Sequence, residues 1–153
     1  MTRLNIGSRR RHHTGYTTID LEEMSGADII GDFRGMSFEN VEEILAEHLL
    51  EHFGRDESEK VIDLWNSWLK KGGKIIIETP DFEGICRDFQ INKYWMERHC
   101  FGSQEAEWAF HRTGWYESKF LEILPKHGFR IEKITFPKSR HILPNIRIVA
   151  TKI

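Results

Sequence analysis

The chain has 153 residues and 22 Lys+Arg against 24 Asp+Glu, a formal charge of −2. At roughly 150 residues per domain this predicts one domain, spanning 1–153, with enough chain to bury a core. The 39% hydrophobic and 12% aromatic content excludes a disordered chain, and the near-neutral charge argues against a dedicated nucleic-acid coat.

No apolar run approaches the ~20 residues that span a bilayer, and Met1–Ile6 has no signal-peptide core. The two cysteines, Cys86 and Cys100, are too far apart for a metal or redox motif and too few for a disulfide scaffold. A reduced, cytoplasmic domain is expected.

The first third holds three short apolar runs, Leu4–Ile6, Tyr16–Ile19 and Ala27–Ile30, each closed by Gly or Asp, which predicts strands. The links between them are short for parallel strands, which usually need a dozen residues or more to cross over. Residues 41–53 are ambiguous: Val41, Ile44, Leu45, Leu49 and Phe53 trace a helical stripe, yet Val41–Ala46 also reads as a buried strand. Residues 56–71 predict a helix with Val61, Leu64, Trp65, Trp68 and Leu69 on one face, Asp56 capping with Glu59, and Lys70-Lys71-Gly72-Gly73 as the stop. A strand over Lys74–Thr79 follows, halted by Pro80-Asp81, and helix then strand is half of a βαβ unit.

A short helix is expected over about 82–89. Beyond it Trp95, Phe101, Trp108, Phe110 and Trp115 are expected to be packing residues, since large rings dominate cores. A helix over 117–127 carries Phe120, Leu121 and Leu124, with Pro125 expected to shorten or kink it before Gly128. Strands over about 129–136 and 146–151 close an α/β chain.

Several stretches fall in a telling order: Leu4-Asn5-Ile6-Gly7-Ser8, Ile19-Asp20, Asp28-Ile29-Ile30 to Asp32-Phe33, and His48-Leu49-Leu50-Glu51-His52-Phe53. Leu69-Lys70-Lys71-Gly72-Gly73, Thr79-Pro80-Asp81-Phe82-Glu83, Phe110-His111-Arg112-Thr113-Gly114-Trp115 and His127-Gly128-Phe129 complete the set. Together they resemble the small predicted S-adenosylmethionine-dependent methyltransferases of Rossmann-like type, over almost the whole chain. The resemblance implies a reduced Rossmann-like fold with a mostly parallel sheet and an antiparallel C-terminal strand. The helices after the first strands would be missing, since Gly7–Gly15 and Leu21–Gly26 are too short to hold them. One sheet face would then lack cover, and a bare apolar face predicts a homodimer.

The resemblance also implies S-adenosylmethionine as cofactor. Gly7, Ser8 and Arg9 would form the first turn, where backbone donors meet the amino-acid end of the cofactor. Asp20, with Leu21 beside it, would accept the ribose hydroxyls, and Asp32 and Phe33 would hold the adenine. Glu47 would meet the cofactor's amino or adenine end. His48 is the expected base, Glu51 would orient a histidine, and His111 with Arg112 would close over a small-molecule or glycan-type acceptor.

One departure stands out: the family's second glycine falls at Arg9, inside the basic run Arg9-Arg10-Arg11-His12-His13. A long cation there would block the pocket, fold outward, or recruit an anionic group. Two other readings follow from the residues. The chain would be an inactive methyltransferase-like module holding a nucleotide, a phosphosugar or RNA. Alternatively, His48-x-x-Glu51-His52 would be an inverted zinc-hydrolase signature, although the pattern alone assigns no metal.

Overall fold

In a computed structural model, which describes residues 2–153, the expected mostly parallel sheet forms, with one antiparallel C-terminal strand set in next to its edge. The strands are β1 (Thr2–Ile6), β2 (Thr17–Asp20), β3 (Ile29–Ile30), β4 (Val41–Glu47), β5 (Leu69–Pro80), β6 (Phe129–Thr135), β7 (Lys138–Ser139) and β8 (Leu143–Lys152). The helices are α1 (Arg55–Trp68), α2 (Phe82–Asp88), α3 (Lys93–Phe101) and α4 (Glu117–Lys126). The sheet runs β3-β2-β1-β4-β5-β8-β6, with β7 paired to β8 off this path. Pairs from β3 through β5 are parallel, and β8 lies antiparallel to both β5 and β6. Among the described residues, no helix is long and apolar enough to cross a membrane.

Residues 41–53 divide between the two readings: β4 lies between β1 and β5, and the apolar pattern beyond it becomes a 3₁₀ turn at Leu50–His52. The expected capping box at Asp56 and Glu59 does not form. The N-cap is Gly54, whose carbonyl accepts from the Ser58 backbone and hydroxyl (2.8 and 2.7 Å), while Asp56 and Glu57 sit in the first turn, where the helix dipole favours acids. The helix also ends three residues early. Leu69 leaves it to pair with Val41, residues 70–73 bulge out with Gly72 at φ +76°, and pairing resumes at Lys74. Pro125 does not shorten α4, because its missing donor falls in a last turn already closed by His127 N–H to Ile123 and Leu124.

Cross-strand register sorts the side chains onto two faces. Leu4, Ile6, Ile19, Ile44, Ala46, Ile75, Ile77, Ile146 and Ile148 all point one way, and each is at most 1% exposed. They join one core with Val61, Ile62, Trp65 and Trp68 of α1 and Phe120 and Leu124 of α4.

The opposite face carries Asn5, Thr18, Glu43, Leu45, Glu47, Ile76, Glu78, Arg147 and Val149. No helix follows β1, and only a 3₁₀ turn at Glu23–Ser25 follows β2, as the short links predict. The chain satisfies this face with polar groups. The Asn5 amide donates to the Arg11 carbonyl (2.9 Å), the Thr18 hydroxyl to Asp28 (2.8 Å), and the Tyr16 phenol to Glu43. Arg147 lies between Glu47 (2.7 Å) and Glu78 (2.8 Å). This face is therefore mixed rather than bare and apolar: Leu45, Ile76 and Val149 lie among hydrogen-bonded and charged side chains, so the surface from which a homodimer is expected differs from that expectation.

Candidate active site

The strand order reverses between β1 and β4, and in open α/β sheets the crevice beyond the strand ends at such a point takes the ligand. A cleft of about 400 Å³ lies there. Gly7 follows β1 into it, Asp20 ends β2, Gly31 and Asp32 follow β3, and His48 follows β4. Trp108 and Arg112 close another wall. A second cavity of about 310 Å³ sits between the β4 tip and α3, lined by Glu47, Trp95, Arg98, His99 and His111. Gly7, Arg9, His48, His52 and Trp108 line both.

Gly7 holds φ +68°, and a Cβ there would lie 2.9 Å from Leu49 Cδ1, so the first turn needs glycine. Arg9 takes φ +47°, the left-handed region in which glycine is usual. Its side chain folds outward and does not plug the cleft: Nη2 meets Glu105 Oε1 at 2.8 Å and the guanidinium stacks 4.8 Å from the Trp108 ring centroid. Its backbone N–H donates to Asp20 Oδ2 (2.7 Å), and Glu22 N–H donates to Asp20 Oδ1 (2.9 Å). Asp20 thus pins the first turn to the second strand tip, and each oxygen keeps a further acceptor position. Leu21, 55% exposed, lies beside it in the cleft.

Asp32 is engaged by a residue the sequence reading missed. Arg34 clamps it through Nε (2.9 and 3.0 Å) and Nη2 (2.6 Å), while Nη1 pairs with Glu57. The Arg34 bonds hold the Asp32 carboxyl below its usual range. Phe33 is a core residue, packed on Phe53, Trp65 and Trp68 with ring centroids 5.9–6.4 Å apart, and shows the cleft little of itself. Ser8 and Glu47, expected at the cofactor, line the second cavity and not the first cleft; Glu47 is tied to Arg147 and to His13 (3.2 Å).

His48 takes φ +54° at the β4 tip, with Nδ1 3.3 Å from Glu51 and Nε2 3.5 Å from Glu78. Burial opposes its charge, but the two carboxylates outweigh burial and push its pKa up to about 9. With both nitrogens facing carboxylates, the charged imidazole is favoured over the base role expected of it. His48 in turn draws Glu78 down to about 2, helped by Arg147 against burial.

His48 and His52 do not share a helical face, because residues 50–52 form a 3₁₀ turn. The zinc-hydrolase pairing of His48 with His52 is not formed. His52 instead meets His111, ring centroids 4.8 Å apart, beside the buried Glu51. Burial lowers the His111 pKa.

Of the aromatics expected to be packing, only Trp115 is core. Trp95 and Trp108 line the cavities, and Phe101 and Phe110 are exposed, because α3 and the loop after it lie outside the sheet's covered layer. No sequence signal separated Trp95, Trp108, His99 or Arg34 from ordinary surface residues.

No protein-family model and no curated protein matches the chain in sequence. Solved structures do match in fold. One is a SAM-dependent methyltransferase from Methanosarcina mazei (TM-score 0.69, 14% identity, covering 99% of this chain and 92% of that one). Another is Burkholderia thailandensis 1,6-didemethyltoxoflavin-N1-methyltransferase, solved with 1,6-didemethyltoxoflavin and S-adenosylhomocysteine (0.69, 15%, 99% and 70%). A third is a SAM-dependent methyltransferase from Archaeoglobus fulgidus (0.67, 17%, 99% and 86%). With its strand order, antiparallel C-terminal strand and switch-point cleft, this chain has the Rossmann-like fold of the SAM-dependent methyltransferases.

Proposed function

We propose that the protein transfers a methyl group from S-adenosylmethionine to a small-molecule or glycan-type acceptor. The observation that carries this reading is the cleft at the β1/β4 reversal, framed by Gly7, Asp20, Leu21 and Asp32 and left open by Arg9. Its volume of about 400 Å³ suits a small cofactor. The residues present fit the group: a turn only glycine tolerates, a carboxylate with acceptor positions to spare, and an exposed leucine.

When bound, the cofactor supplies a methyl group on a positively charged sulfur. Asp20 accepts the ribose hydroxyls, while its two backbone bonds hold it in place. Leu21 and Phe53 give an apolar wall for the base, and Asp32, clamped by Arg34, stands at its polar edge. His48 stands where the two cavities meet; with both nitrogens facing carboxylates it is a positioning residue, and Glu51 fixes it. His111, Trp95 and Arg98 line the acceptor side, and Arg112 lies on the cofactor side. Holding the two reactants in adjoining cavities aligns the displacement. The two cysteines are free thiols, which fits a reducing, cytoplasmic setting.

Calorimetric titration with S-adenosylmethionine and S-adenosylhomocysteine tests this. Binding in the micromolar range is expected, weakened about tenfold or more by Asp20→Asn, an effect equal to about 1.4 kcal/mol. Absence of binding to the wild type at millimolar ligand would overturn the reading.

A further inference from the structure

At the edge of the second cavity, Glu51, His52 and His111 each place a ligand atom within 4.8 Å of the others, the one such group among the described residues. Three observations set it apart from a chance cluster. Glu51 is 2% exposed, and neither of its oxygens receives a well-aligned hydrogen bond: Oε1 has His48 Nδ1 at 3.3 Å and His111 Nε2 at 3.9 Å, and Oε2 has no partner. A buried carboxylate left in that state is costly unless a cation or donor completes it.

The histidines are also prearranged. His52 Nδ1 lies 3.1 Å from the Phe110 carbonyl oxygen, and His111 Nδ1 lies 3.0 Å from the His99 carbonyl oxygen. A carbonyl only accepts, so each Nδ1 carries its ring's proton, and in the neutral ring Nε2 holds a lone pair. This is the outer arrangement that fixes metal-ligating histidines. Finally, His111 Nε2 stands 3.9 Å from Glu51 Oε1: lone pair faces carboxylate, with no proton between them in the neutral state.

We propose that Glu51, His52 and His111 bind a divalent transition-metal ion of the zinc class. Two imidazoles and one carboxylate suit such an ion, and bonds of ~2.1 Å call for donors about 3.4 Å apart, which small side-chain rotations supply. His48 is not a ligand, since both its nitrogens face carboxylates; it supports Glu51 from behind. Both ligating histidines line the second cavity, so the ion's remaining positions open onto the acceptor space. A hydroxyl or thiol of the acceptor binds there, and the ion lowers its pKa so that its proton leaves to solvent through the open cavity. That last role rests on the methyl-transfer reading; the metal site does not.

The test uses the chelator-treated full chain titrated with Co²⁺, whose visible absorption reports coordination, followed by displacement with Zn²⁺. One equivalent of Co²⁺ with d–d bands is expected. His52→Ala and His111→Ala should each weaken it about 100-fold or more, and Glu51→Gln should do the same. His127, held by Glu59 and Asp63 elsewhere on the surface, is the control: His127→Gln should leave the bands unchanged. Absence of bands at millimolar Co²⁺, or bands that survive in His52→Ala, would overturn the proposal. Because no S-adenosylmethionine is added, failure here is separate from failure of the cofactor titration.

Discussion

The two faces of the sheet solve the same problem by opposite means. The face under α1 and α4 is apolar, with strand residues such as Ile44, Ile75 and Ile148 at most 1% exposed against Trp65, Trp68 and Phe120. The other face has lost the helices that usually cover a parallel sheet, and hydrogen bonds and ion pairs take their place. A sheet face can do without a full helical layer when its side chains are polar enough to pair with one another and with loops.

The first way to break this comparison is to remove packing from the covered face. Trp65→Ala should cost about 3–5 kcal/mol in urea unfolding, because the indole is fully buried and the cavity cannot collapse. Its Nε1–H has no partner, so the loss is packing alone.

Charge removal on the bare face should matter less. Arg147→Met leaves Glu47 and Glu78 facing one another without their shared cation, and should cost about 1–2 kcal/mol, reduced by partial exposure. Adding Glu47→Gln and Glu78→Gln to Arg147→Met should recover most of it, because no unpaired charge then remains.

Acid should separate the faces further. The folded pKa of Glu78, about 2, lies below its ordinary 4.5, so between these values the unfolded chain binds more protons. Its contribution is therefore complete above about pH 4.5 and is lost as pH falls toward 2. Glu78→Gln should flatten unfolding free energy across that window, whereas Trp65→Ala should shift the whole curve without changing its slope.

Tyr16→Phe should have the smallest stability effect, about 0.5–1.5 kcal/mol, by deleting the phenol bond to Glu43. Sedimentation at micromolar concentration gives a last check on the same face: a polar surface predicts the 18.1 kDa mass of one chain. Twice that mass would make the polar face an interface.

Local pattern carried the strand runs and the amphipathic helix over α1, while the absence of helices after β1 and β2 came from the short links read together with the resemblance. Each depends on spacing within a dozen residues. Gly7 and Asp20 were singled out by the resemblance to the methyltransferases rather than by local pattern, and the structure places both at strand tips beside the cleft. The sequence-based expectations failed where the answer depended on a distant partner. Leu69 left the helix to pair with Val41, and Glu47 faced away from the cleft because Arg147, 100 residues on, holds it. His52 left His48 for His111, a residue that only the return of the chain past α3 brings near. Composition and periodicity therefore indicated most strands and the helices α1, α2 and α4, but left 41–53 ambiguous and gave no sign of α3. Only tertiary structure decided which polar side chains meet, because charges and lone pairs pair through space, and sequence distance says little about that.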